Sequence, residues 1–135
     1  MSDKTNYKQQ LLKAWEEVYK KGQLTLWLFL SLKEQPQYVS EIKAFIEDNS
    51  NNTITCEEQS LYRTLRKYYN LEMVDFKLGK GNKGPERKYY FLTSLGHEIL
   101  NEFIERNIRV FFNNKNLTKL LISKGESNDN HHKKS

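Results

Sequence analysis

One cysteine, two prolines, six glycines and three histidines are all this 135-residue chain has of the residues that make cross-links, kinks and metal sites. The lone thiol, Cys56, permits no intrachain disulfide and points to a reducing cytoplasm as the expected compartment. His97 stands alone, and His131 and His132 have no cysteine or carboxylate at ligand spacing, so no metal or cofactor is expected. The longest apolar run, Leu24 to Leu32, is interrupted by Thr25 and Ser31. It falls well short of the roughly 20 residues that cross a bilayer, so no membrane partner is expected. The chain is polar and charged through Lys13, unlike a secretory signal. No Ser–His–Asp order, nucleotide loop or paired acids suggest an enzyme.

The scarce glycines are not spread evenly. Gly79, Gly81 and Gly84 sit together, followed by Pro85, among Lys77, Lys80, Lys83, Arg87 and Lys88, with Glu86 as the only acid. The whole chain carries 22 basic and 17 acidic residues, a net charge of +5 that permits a polyanionic partner without requiring one. The local excess says more. Fold stability gains nothing from such a cluster, and self-repulsion opposes it, so a counter-charge is expected to visit.

Around that turn the pattern is ordered. Tyr7, Leu11, Trp15 and Val18 recur at helical spacing over residues 7–21, and Gly22 breaks that helix. Residues 24–32 read as a buried helix ending before Pro36, with a buried strand as the alternative. Tyr38, Ile42, Phe45 and Ile46 mark a helix over 38–48, followed by a loop at Asn49-Ser50-Asn51-Asn52. Thr55-Cys56-Glu57-Glu58 has the form of a capping box and predicts a helix from about 56 to Tyr69, closed by a left-handed Asn70. Strands are predicted over 73–78 and 87–93, joined by the basic turn, and a last helix from Thr93 or Ser94 to about Phe112. Helix, strand, basic hairpin, strand is the order of a winged helix: an α+β, mostly α fold with a two-stranded wing. The expected domain is 1–112, with a polar, flexible tail over 113–135 that includes one or two helical turns between Leu117 and Ile122.

Three stretches then resemble the PadR family of winged-helix transcriptional regulators. Gly22 to Leu32 with Pro36 and Tyr38 to Ile42 looks like the family's first helix and its turn. Ser60-Leu61-Tyr62-Arg63-Thr64-Leu65 is similar to its recognition-helix pattern, and Arg87 to Thr93 with Gly96 and Leu100 to its second wing strand and next helix. Gln37 and Asn70 stand where the family usually has glycine. The resemblance implies a regulator, commonly a repressor, dimeric through its C-terminal helix with help from the first, and in some members released by aromatic ligands.

Specific residues follow. With Leu61, Leu65 and Tyr68 inward, the helix over 56–69 leaves Gln59, Ser60, Arg63, Thr64, Arg66 and Lys67 to meet a DNA groove. Lys80, Lys83, Arg87 and Lys88 are expected at phosphates. The last helix carries two apolar rows, Leu95, Ile99 and Phe103, and Leu100, Ile104, Ile108 and Phe111. The second row, with Leu11 and Trp15, is the expected homodimer interface; the alternative is one wide face packed on the chain's own domain. Trp15 and Trp27 are candidate contacts for an aromatic effector, although ordinary core or dimer packing is the favoured explanation. Cys56 at a helix start has a setting that can favour a thiolate, but a plain small residue at the first turn is the favoured reading. The rival reading is a winged helix used for protein–protein interaction or assembly without specific DNA binding.

Overall fold

A computed structural model describes residues 3–81 and 84–123. Lys83 and the polar end of the chain beyond Ser123 lie outside the described residues. Residues up to His97 form one compact unit and those from Glu98 another.

The first unit begins with helix α1, Asp3–Tyr19, which has no buried residue. Gly22 adopts φ 80°, a left-handed backbone that glycine alone takes without penalty, and turns the chain into α2, Gln23–Ser31. The apolar run is therefore helix rather than strand, and Leu28, Phe29 and Leu32 are buried. Helix α3, Val39–Asn49, follows Pro36. Its first turn is closed by Glu41, whose Oε1 accepts the Tyr38 N–H at 3.1 Å. Helix α4, Glu58–Asn70, leads through a turn into β1, Val74–Lys80, which pairs antiparallel with β2, Glu86–Leu92. Gln37 extends this hairpin on its other side: it exchanges backbone hydrogen bonds with Tyr90 at 2.9 and 2.8 Å.

The core is built from these elements in turn. Ile42 and Ile46 from α3, Leu61 and Leu65 from α4, and Val74 and Leu92 from the hairpin are all nearly inaccessible. Tyr68 packs edge-on against Phe29, with ring centroids 5.0 Å apart, and ties α4 to α2.

Helix α5, Ser94–Asn107, starts in the first unit and continues in the second. Thr93 caps it, accepting the Gly96 N–H at 3.0 Å while donating to the Glu72 carbonyl at 2.7 Å. The helix does not run on to Phe112 as its apolar spacing predicts. It stops at Asn107, Arg109–Phe111 form a 3₁₀ turn, and α6, Lys115–Ile122, begins afresh. Asn114 makes that restart, its Oδ1 accepting from the amides of Asn116 and Leu117. The helical turns expected between Leu117 and Ile122 lie within this two-turn helix, which starts slightly earlier.

Two further expectations change. Helix α4 starts after Glu57, not Thr55: Lys43 Nζ holds the Cys56 carbonyl at 2.7 Å and the chain stays extended two residues longer. The left-handed residue after α4 is Glu72 at φ 66°, whereas Asn70 is still helical.

Candidate nucleic-acid interface

Helix α4 is held from three sides. Leu61 and Leu65 anchor its inner face, the Tyr69 ring lies 5.6 Å from Phe76 of β1, and Ser40 Oγ donates to Glu58 Oε2 at 3.2 Å. Lys43 adds a brace from α3 to the segment before α4: it pairs with Glu47 at 2.7 Å while bonding the Cys56 carbonyl. The hydrogen bond to Glu47 raises the Lys43 pKa above its ordinary value, and the same bond lowers that of Glu47. Cys56 sits beyond the helical turn, and burial pushes its thiol pKa up, so the setting opposes a reactive thiolate.

With the inner face fixed, Gln59, Arg63, Arg66 and Lys67 stand exposed on the outer one. Ser60 and Thr64 are half-buried, and the Thr64 hydroxyl is spent on the Ser60 carbonyl at 2.9 Å. Arg63 Nη2 leans on Ser60 Oγ at 3.3 Å. In the hairpin, Lys80 and Lys88 are exposed and Arg87 is half-buried. Lys88 lies over the Phe76 ring at 4.6 Å and Arg87 over Tyr38 at 4.1 Å. Among the described residues, none of these six arginines and lysines on α4 and the hairpin makes an ion pair.

Between them lies a groove of about 670 Å³, lined by Tyr62, Arg66 and Tyr69 of α4, Arg87 and Lys88 of β2, and Tyr38 at the start of α3. Tyr62 and Tyr69 flank the inward row of Leu61, Leu65 and Tyr68, yet each is 44% exposed. The signal was present: Tyr62, Arg66 and Tyr69 recur at helical spacing and so share one side of α4. Tyr90 forms the inner wall, and burial pushes its phenol pKa up.

The two apolar rows differ in exposure. In the row expected at a partner chain, Leu100 is 1% exposed and Ile104 and Ile108 are half-buried. The other row, Leu95, Ile99 and Phe103, is exposed throughout. Gly96, in the first turn of α5, is buried and lies against the Met73 carbonyl. Phe111 is exposed but sits on the 3₁₀ turn rather than on α5. Leu11 and Trp15 stand exposed on α1, and Trp27 is half-buried in α2. No described helix is long and apolar enough to cross a membrane, and no described cluster of His, Cys, Asp or Glu is placed to hold a metal.

This arrangement has known counterparts. A PadR-like transcription factor from Bacteroides fragilis superposes with TM-score 0.59 at 26% identity, over 80% of this chain and 94% of that one. A PadR-like transcriptional regulator from Bacillus cereus gives TM-score 0.61 at 23% identity, over 78% and 97%. Bacillus subtilis PadR, solved in complex with operator DNA, shares the fold at TM-score 0.55 and 17% identity, over 60% of this chain and 46% of that one. A Lysinibacillus sphaericus protein of uncharacterised role is 29% identical over 85 residues, 63% of this chain and 78% of its own length. The transcriptional regulator PadR-like family matches residues 28–102, more than half the chain and all of α3, α4 and the hairpin, and the chain belongs to that family.

Proposed function

We propose that this chain is a sequence-specific DNA-binding repressor that acts as a homodimer. The observation that carries the reading is the set of arginines and lysines on the outer face of α4 and on the hairpin, unmatched by any carboxylate among the described residues. Gln59 and Arg63 have the chemistry to read base edges, and Lys80, Arg87 and Lys88 to meet phosphates. Fluorescence anisotropy on duplex from immediately upstream of the gene, beside a scrambled duplex and across a salt series, tests it. Tighter binding to the upstream duplex with a steep salt slope on both is the expected result. Equal, weak binding to both would move the protein-interaction reading to first place.

The hairpin contributes a separable part of that slope. Replacing Lys80 and Lys88 with Ala is expected to reduce the log–log salt dependence by roughly 1–2, since each phosphate neutralised contributes about 0.9. An unchanged slope would take the wing out of the interface.

Dimerisation is supported by apolar surface that a monomer seldom leaves open: Leu11 and Trp15 on α1, and Ile99 and Phe103 on α5. Two α4 helices related by a twofold axis would read half-sites about one turn of DNA apart. Sedimentation at micromolar concentration should give a dimer, and Phe103→Glu should shift it to monomer. A wild-type monomer under those conditions would remove the twofold geometry. An aromatic effector near Trp15 or Trp27 belongs to the same proposal, and quenching of their emission by planar aromatic compounds is its test.

A further inference from the structure

We propose that Tyr38 is a positioning residue for Arg87, holding it as a pre-formed phosphate clamp in the groove between α4 and the hairpin. The inference rests on the DNA-binding reading and adds a mechanism to it. The double hydrogen bond between Gln37 and Tyr90 places the residue after Gln37 beside β2. There the Tyr38 ring meets Tyr89 edge-on at 5.5 Å and takes the Arg87 guanidinium on its face at 4.1 Å. A cation stacked this way uses the flat face of the guanidinium. Its N–H groups lie in the plane and remain free to fork a phosphate.

The hairpin glycines leave the room this needs. A Cβ at Gly79 would stand 2.8 Å from Tyr89 Cε2, and one at Gly81 would stand 2.6 Å from Arg87 Nε. Neither glycine has a positive φ, so the backbone of both is open to alanine, and an added methyl would push the opposing side chain aside. Arg66 and Lys88 line the same groove, so a phosphate held by Arg87 would have two further cations beside it.

Gly81→Ala is the decisive variant, because it displaces the guanidinium while keeping every charge and the hydrophobic core. Anisotropy on the upstream duplex should show affinity weakened about three- to tenfold, the scale of a lost stacked-cation contact, with an unchanged melting temperature. The loss should vanish when Arg87 is already Ala, since the two changes act through one contact. Tyr38→Leu should weaken binding to a similar degree, and Tyr38→Phe, which keeps the ring, should recover most of that loss. Independent, multiplying effects of Gly81→Ala and Arg87→Ala would overturn the proposal, as would a Phe variant as weak as the Leu variant. Variants that all bind as tightly as wild type would overturn it alone, leaving the regulator reading intact. A wild-type protein that binds no duplex would overturn the regulator reading itself and this inference with it.

Discussion

Gly96→Ala is expected to destabilise the protein by about 2–4 kcal/mol, the upper range for overpacking, and to lower the melting temperature by roughly 10–20 °C. In an exposed helix the same change would be a gain of about 1 kcal/mol, because alanine loses less backbone entropy than glycine. The sign reverses here because a Cβ would overlap the carbonyl oxygen of Met73 and crowd the Leu92 side chain. The obstacle is backbone, and it is fixed. That carbonyl already accepts the Thr93 N–H at 3.0 Å, and Thr93 bonds Glu72 and caps α5. Moving it away would loosen the turn after α4, the start of β1 and the α5 cap together. A thermal melt followed by far-ultraviolet circular dichroism measures the effect. Glu98→Ala, an exposed change in the same helix, serves as control and should stay within about 0.5 kcal/mol. A Gly96→Ala melt at or above wild type would show that α5 does not sit against Met73.

What could be read from the sequence, and what could not, divides along range. The helices around Ile42 and Leu61 declare themselves because their apolar residues repeat every three to four positions, whereas the run around Leu28 is apolar on every side and its spacing leaves helix and strand open. The hairpin is equally plain: Val74 and Phe76 alternate with Asp75 and Lys77, and a glycine-rich turn follows. Ends of elements are harder, because partners distant in sequence decide them. Thr55 and Glu58 have capping-box spacing, yet Lys43 claims the Cys56 carbonyl and delays α4. Tyr38 has no capping side chain, yet Glu41 alone closes the first turn of α3. The bridge from Gln37 to Tyr90 joins residues far apart in the sequence and leaves no local mark. The two apolar rows after Thr93 are alike in composition, so spacing alone does not tell that Leu100 is buried while Leu95, Ile99 and Phe103 are exposed. For the candidate site, the outward residues of α4 were legible from the inward ones. The groove was not, since Tyr38, Tyr62 and Arg87 meet only through the pairing of Gln37 with β2.

Arg63→Ala is expected to weaken binding to the upstream duplex by about 1–3 kcal/mol and to narrow its preference over a scrambled duplex. Arg63 lies on the exposed side of α4, opposite Leu61 and Leu65, where no described carboxylate pairs with it. Its hydrogen bond to Ser60 Oγ, at 3.3 Å between neutral hydroxyl and guanidinium, is weak enough to yield to a base edge. Arg66 makes the instructive comparison. It lies one turn round in the groove with Tyr62 and Tyr69, beside the hairpin cations, where a phosphodiester rather than a base edge would fit. Arg66→Ala should therefore weaken specific and scrambled duplexes alike and reduce the salt slope by about 0.9, leaving preference intact. Two arginines three residues apart on one helix would then separate sequence reading from phosphate anchoring. Anisotropy with both duplexes over a salt series distinguishes them. Equal losses on the two duplexes for Arg63→Ala would assign that residue to phosphate as well, and sequence preference would then have to come from Gln59 or from the shape of the DNA.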